Sequence, residues 1–133
     1  MLTSIEGQAQ VSVGGTPLSW TNVLTASNTV IVLPAVDEAA LLLEDEARLM
    51  NGEKTTRFGY NHDVTIDVLA SCEWQTTSSH EIGRLAIQSD RARSINLIFS
   101  DFYLENDVSL FLYNESKEDL IGAFTSANNK AYR

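Results

Sequence analysis

The segment RLAIQSDRARSINLIF, residues 84–99, decides the fold prediction because its apolar side chains recur at every second position. The alternation covers residues 84–88 and again residues 95–99, and the mostly polar residues 89–94 separate the two runs. Successive side chains of a strand point to opposite faces, so a period of two is typical of a half-buried strand. We therefore predict two strands joined by a turn.

Four other short runs extend the same pattern along the chain. They lie at residues 29–33, 64–69, 108–113 and 120–125, and turn-forming clusters separate them. The first run is rich in β-branched residues, and Pro34 closes it. Short strands at this spacing predict a mainly β chain, folded as an antiparallel β-sandwich or jelly-roll-like domain.

One helix is predicted near residues 37–51. Asp37 is suited to the N-cap, Glu38 complements the helix dipole in the first turn, and Asn51-Gly52 supplies a stop. Apolar residues recur at helical spacing along one stripe, which we expect to pack inward while the acidic face stays solvated. The residues of this stripe are Val36, Ala39, Ala40, Leu43, Ala47 and Met50.

Length and composition describe an ordinary globular chain. Its 133 residues suit one domain, and we assign residues 11–133 to it. No apolar run approaches the roughly 18 residues that a membrane span needs. Nine basic against eighteen acidic residues give a formal charge of −9, which argues against a general nucleic-acid binder. The single cysteine, Cys72, excludes an internal disulfide framework.

Charge is spread unevenly along the chain. Glu6 is the only ionisable side chain before Asp37, whereas six of the next seventeen residues are acidic. Residues 1–10 resemble the tail of a secretory signal peptide, although no charged region or apolar core precedes them. We therefore expect residues 1–10 to be a signal-peptide remnant or a disordered arm.

No catalytic constellation is evident in the sequence. His62 and His80 each precede a carboxylate, but adjacent strand residues point to opposite faces and cannot form a base and its orienter. No Gly-x-Ser-x-Gly motif surrounds Ser78 or Ser79. We predict no catalytic residues and no cofactor, and a small hydrolase centred on either histidine remains an alternative.

Two binding functions also remain alternatives. Asp101, Glu105 and Asp107 could supply oxygen ligands for calcium, but their spacing is not that of an EF-hand, and a solvated turn explains them better. Aromatic residues, Trp20 and Trp74 among them, could form a platform for sugars, although most aromatics are in phase with core aliphatics. The alternative function is thus a jelly-roll binding module for polysaccharide or the cell surface.

A series of motifs follows one another in a fixed order along the chain. The series comprises Gly14-Gly15-Thr16-Pro17-Leu18-Ser19-Trp20, Leu33-Pro34-Ala35-Val36-Asp37, Arg57-Phe58-Gly59-Tyr60, Arg84-Leu85-Ala86-Ile87-Gln88-Ser89, Ser94-Ile95-Asn96-Leu97-Ile98-Phe99, Phe102-Tyr103-Leu104, Leu110-Phe111-Leu112-Tyr113-Asn114, Ile121-Gly122-Ala123-Phe124-Thr125 and Asn128-Asn129-Lys130. From about residue 11 onward, this order and spacing resemble the non-catalytic N-terminal region of bacterial secreted trypsin-like proteases of the lysyl endopeptidase type.

The resemblance implies a pro- or accessory domain rather than the hydrolase itself. In that family the region lies between the signal peptide and the protease domain, so the catalytic triad would follow Arg133. The parent protein would be a secreted, cell-surface or periplasmic serine endopeptidase that cuts after lysine or a similar basic residue. The partner would be the downstream protease domain, and processing could occur at exposed basic residues, for which the candidates are Arg91, Arg93, Lys130 and Arg133.

The chain departs from the family pattern in three respects. Gly83 stands where the family usually has an aromatic residue, and Ala86 stands where it often has a basic one. The family pattern also continues for roughly two more strands past the Asn-Asn turn, so we expect a sandwich that is incomplete at its C-terminus. An edge left open in this way predicts a strand-pairing partner or a homodimer.

Overall fold

The computed structural model describes residues 12–130, which pack into two compact units. The central unit spans Thr25–Ile95, and the terminal unit takes the described residues up to Leu24 and from Asn96 onward. The predicted arm at residues 1–10 lies outside the described residues. A single domain over residues 11–133 stays a prediction.

The central unit contains a three-stranded sheet. Its strands are β1 (Thr29–Val32), β2 (Glu73–Thr76) and β3 (Glu81–Gln88), in the order β1-β3-β2. β2 and β3 form an antiparallel hairpin, whereas β1 runs parallel to β3. The prediction of an all-antiparallel arrangement is therefore wrong for β1, because the long connection from β1 to the hairpin brings the chain back in the same direction.

That connection contains two helices, α2 (Glu38–Met50) and the single-turn α3 (Val68–Ser71); a short helix, α1 (Leu18–Thr21), precedes β1 in the chain. The Asp37 carboxylate accepts a hydrogen bond of 3.0 Å from the Ala40 N–H, so the predicted N-cap is confirmed. Gly52 adopts a left-handed φ of 82° just after the helix, as a C-terminal stop requires. The helix predicted near residues 37–51 is confirmed.

The predicted packing face of α2 is wrong. The side chains of Leu43 and Met50 are 68% and 87% exposed, although both belong to the stripe expected to face inward. The half-buried residues of the helix are instead Leu41 and Asp45. The opposite side turns inward because Arg57 binds acidic residues there, and this contact is long-range, so helical periodicity does not contain it.

The strand predicted at residues 64–69 does not form. Residues 61–67 are irregular, and α3 begins at Val68. The Asp67 carboxylate accepts a 3.0 Å hydrogen bond from the Ala70 N–H, which stabilises a helical turn where the alternation predicts a strand. The N-cap at Asp67 therefore decides the local structure, and the alternation of apolar residues does not lead to a strand.

The terminal unit is built on a two-stranded hairpin. It contains α1 (Leu18–Thr21), β4 (Leu110–Tyr113), β5 (Leu120–Phe124) and a 3-10 turn at Ser126–Asn128. β4 and β5 pair antiparallel, which confirms strands within the predicted runs 108–113 and 120–125. The Asn114 side chain accepts hydrogen bonds from the N–H groups at positions 118 and 119, so it closes the predicted polar turn.

The strand predicted at residues 95–99 does not form either. All five residues are exposed and irregular, and the boundary between the two units falls after Ile95. Alternation describes which side chains could share a face, but a strand also needs a neighbour for its backbone hydrogen bonds. No described strand pairs with this segment.

The described residues are 20% helix and 21% strand, so the chain is mixed α/β rather than mainly β. The structure confirms short strands, but they form two small sheets, one in each unit, which are not clearly a sandwich or jelly roll. The buried apolar side chains are few: Leu33 and Ile82 in the central unit and Ala123 in the terminal unit. No helix within residues 12–130 is long and apolar enough to cross a membrane.

Candidate interaction surface

His80 meets a serine, but in a tight turn rather than in a cleft. Ser79 Oγ lies 2.7 Å from His80 Nδ1 at the exposed tip between β2 and β3. The Thr77 N–H donates to the His80 carbonyl at 2.7 Å, and the His80 N–H donates to Thr77 Oγ1 at 3.0 Å. No carboxylate in residues 12–130 bonds the imidazole, so this contact closes a turn and lacks the orienter of a catalytic base.

His62 lies in a groove of about 480 Å³ beside α2. Its ring makes an edge-to-face contact with Tyr60 at a centroid distance of 5.0 Å. Leu33, Val36 and Leu41 contribute apolar surface to the same groove. His62 therefore packs against an aromatic ring, and no serine, cysteine or metal ligand set joins it among the described hydrogen bonds.

Arg57 fixes the orientation of α2 over this groove. Its guanidinium bonds the Glu44 carboxylate at 2.6 Å and the Asp45 carboxylate at 3.0 Å. These two hydrogen bonds, Glu44 first, raise the pKa of Arg57 above its ordinary value. Because Glu44 and Asp45 are held toward Arg57, the opposite side of α2 turns to solvent.

The candidate processing residues differ in their surroundings. Arg91 lies in the exposed segment 90–95, has a left-handed φ of 55° and forms a 3.3 Å ion pair with Glu38. Arg93 lies in the same segment and has no ion pair among the described residues. Lys130 is exposed at the end of the described range, and Arg133 lies outside it.

The three calcium candidates are not gathered into one ligand set. Asp101, Glu105 and Asp107 all lie in the exposed, irregular segment before β4. Within residues 12–130, no group of three His, Cys, Asp or Glu side chains is close enough to hold a metal ion. Asp107 has a left-handed φ of 66°, which is consistent with a residue in a tight turn.

The tryptophans occupy different environments. Trp20 is half-buried against Tyr113, at a centroid distance of 5.2 Å, with Lys117 Nζ 5.6 Å from its ring. Trp74 is 48% exposed, but one face of its ring lies against Gly83 on β3, and its Nε1–H donates to the Leu69 carbonyl at 3.0 Å. Trp74 thus presents only part of its ring to solvent.

Cys72 is a half-buried free thiol immediately before β2. Burial raises the pKa of the Cys72 thiol, because desolvation disfavours the thiolate. The neighbouring charge in the sequence is the carboxylate of Glu73, which gives no help to a negative sulfur. The thiol therefore has the character of a small packing residue.

A further candidate surface is the outward face of α2, which we call the α2 stripe. It consists of Ala39, Ala40, Leu43, Ala47 and Met50, and every one of these residues is exposed. Glu44 and Glu46 border it, and the helix carries four acidic residues against one arginine. The spacing of the stripe is evident in the sequence, but its exposure depends on Arg57.

The α2 stripe combines an apolar face with acidic margins, and such a face suits binding to another chain rather than chemistry. Neither a protein-family model nor a solved structure matches this chain.

Proposed function

We propose that this chain is a non-catalytic N-terminal pro- or accessory domain of an exported trypsin-like, lysyl-endopeptidase-like serine protease. It would assist the folding, latency or targeting of the protease domain by binding it. The observation that carries the proposal is the α2 stripe, an apolar helix face that the central unit leaves exposed. Large exposed apolar patches on a globular domain mark interaction sites.

Docking on the α2 stripe would remove substantial apolar area from water. Burying a side chain of the size of Leu43 or Met50 is worth about 1.5–3 kcal/mol. The acidic margin favours a partner that presents Lys or Arg around an apolar patch. A second copy of α2 would instead place like charges against each other, so the stripe suits a different protein.

Two further observations support the protease assignment. The ordered motifs from residue 11 onward resemble the N-terminal region of lysyl-endopeptidase-like precursors. Where that family usually has an aromatic residue, this chain has Gly83, and the ring of Trp74 lies over it from the neighbouring strand. An aromatic ring of β2 thus lies beside the position at which the family usually has an aromatic residue.

Release by proteolysis fits the exposed segment 90–95. Arg93 is the better candidate there, because Arg91 is held by its ion pair with Glu38. The same proposal includes export of the precursor. It also includes completion of the β-sandwich by other strands of the precursor. The protease triad would lie in the partner domain, so no catalytic role falls on this chain.

The direct test adds the purified chain in trans to a separated lysyl-endopeptidase-type protease domain, measuring both its activity and its recovery from denaturant. We expect inhibition or faster refolding, weakened at least about tenfold by Leu43→Glu, which corresponds to about 1.4 kcal/mol. Ser78→Glu adds the same charge to an exposed turn and should behave as wild type. No effect of the wild-type chain on activity or refolding would refute the proposal.

A polysaccharide- or surface-binding module is the second candidate, because Trp74 keeps half of its surface exposed. Sugar rings stack on such aromatic faces. This function predicts quenching of tryptophan fluorescence by soluble glycans and its loss in Trp74→Leu. An unchanged spectrum over a panel of glycans would remove this candidate.

A further inference from the structure

β1 has an open edge on the side away from β3. The strand order β1-β3-β2 places β1 at one end of the sheet. The Leu33 N–H donates to the Gln88 carbonyl of β3 at 2.8 Å. Because alternate N–H groups of a strand point to the same side, those of Val30 and Val32 point away from β3. Neither has a backbone acceptor among the described hydrogen bonds.

The open edge of β1 is short, but it carries no charge or proline that would oppose pairing. Natural edge strands avoid pairing by being very short, by carrying lysine, an inward charge, a bulge or a proline, or by being covered by a helix or loop. β1 reads Thr-Val-Ile-Val, and Val30 and Val32 are 50% and 63% exposed. Pro34 lies beyond the end of the strand. The edge is therefore a template for another extended strand.

The distribution of charge indicates which chain can pair with the open edge of β1. The whole chain carries −9, which opposes contact between two copies over most of its surface. Residues 7–36 carry no ionisable side chain, so β1 lies in the one long neutral part of the sequence. In an antiparallel pair, the acidic starts of α2 in the two copies would lie at opposite ends of the paired strands, and residues 33–36 of one copy would lie beside the neutral residues 25–28 of the other. A parallel pair would bring the two Asp37-Glu38 segments together.

We propose that β1 pairs antiparallel with β1 of a second copy. The pairing joins two three-stranded sheets into one continuous sheet about a two-fold axis, with the same residues contributed by each copy. A contact of four residues on each side buries less than the roughly 1,200 Å² of a standard interface. The dimer is accordingly weak and exchanges with monomer. This inference is independent of the protease assignment.

Sedimentation velocity of the purified chain, from about 10 μM to about 1 mM, tests the pairing. We expect the mass to rise from monomer toward dimer. Val30→Lys should keep the chain monomeric throughout the series. Thr76→Lys, which makes the same charge change on the other edge strand β2, should dimerise at least as well as wild type.

Two further variants separate loss of pairing from loss of fold. Val30→Pro removes an outward N–H without touching the bonds to β3, so it should abolish dimerisation and keep the circular dichroism spectrum. Leu43→Glu alters the α2 stripe and should leave dimerisation intact. The proposal is overturned if the wild-type chain stays monomeric at the highest concentration, if Thr76→Lys abolishes dimerisation as Val30→Lys does, or if Leu43→Glu abolishes it.

Discussion

The two edge strands of the three-stranded sheet differ in the side chains that they carry. On β2, the Trp74 ring lies across β3 at Gly83, and the Gln75 side chain accepts hydrogen bonds from the N–H groups of Thr25 and Ala26 at 2.9 and 3.3 Å. The strand also begins with a charged residue, Glu73. β1 has valines and no charge. The same sheet thus has one edge strand that carries a charge and binds residues 25 and 26 through a side chain, and one edge strand that is neutral and apolar.

The comparison extends to the α2 stripe. Both β1 and the α2 stripe are exposed and apolar, but acidic residues border only the stripe. A neutral edge tolerates a second acidic chain, whereas the acid-bordered stripe favours a basic partner. Apolar exposure alone therefore does not identify a partner, because the surrounding charge decides which chain can approach.

The largest expected effect comes from disturbing the packing of the Trp74 ring on β3. A Cβ at position 83 would lie 2.9 Å from the Trp74 ring, so Gly83→Ala must displace the ring or the strand. We expect a loss of about 1–3 kcal/mol in the free energy of unfolding, typical of overpacking. Urea denaturation followed by tryptophan fluorescence measures it.

Gly59→Ala is the matched control for this substitution, because a Cβ there would meet nothing within 4 Å. It should change the free energy of unfolding by less than about 1 kcal/mol. If both alanine variants have equal stability, then the Trp74 ring does not pack on Gly83 as described.

The second prediction concerns a substitution that weakens α2 without altering β1. Asp37→Ala removes the acceptor of the Ala40 N–H, and we expect a loss of about 1 kcal/mol in stability. Asp37→Ser keeps a capping oxygen and should retain most of the stability that the alanine variant loses. Binding to the protease should weaken in the alanine variant, whereas self-association through β1 should persist. If the alanine variant loses self-association, measured by sedimentation, as strongly as it loses inhibition of the protease, then the two surfaces are not independent.

Ionic strength should affect the two surfaces in opposite directions. Raising salt from about 0.05 M to about 0.5 M screens the repulsion between two copies of charge −9, so β1 pairing should strengthen severalfold. The same change should weaken binding of a basic partner to the α2 stripe. Sedimentation and inhibition titration measure the two responses. If β1 pairing and binding to the α2 stripe change in the same direction with salt, then charge does not distinguish the two surfaces.

The smallest effect concerns Cys72, which directly precedes β2. Burial raises the pKa of this thiol, so the unfolded chain loses the proton at a lower pH than the folded chain. The corresponding stability is fully present below the unfolded pKa, near 8.5, and is lost as pH rises through the folded value. Unfolding of the wild-type chain and Cys72→Ala across this range should show a steeper decline for the wild type. A parallel decline would mean that the thiol is solvated.

Local signals predicted part of the fold correctly. The boundaries of α2 follow from Asp37 and Gly52, whose effects act within a turn, and the hairpin of β4 and β5 follows from alternation around a polar turn. Alternation failed at residues 64–69, where Asp67 caps a helix, and at residues 95–99, where no neighbour strand is present among the described residues.

The candidate surfaces were only half predictable. The α2 stripe is visible as a period of apolar residues, but Arg57, bonded to Glu44 and Asp45, decides that it faces solvent. Similarly, β1 is recognisable as a strand, but its place at the edge depends on which strand pairs with β3. Both properties come from contacts between distant residues, and no local pattern encodes them.

Amide hydrogen exchange followed by NMR at low and high protein concentration tests the contrast between the two edges most directly. By the register of the sheet, the outward N–H groups are those of Val30 and Val32 on β1, and of Trp74 and Thr76 on β2. We predict that concentration slows exchange at Val30 and Val32 and leaves Trp74 and Thr76 unchanged. Exchange at β1 that is independent of concentration, or protection that appears at β2 instead, would contradict the account.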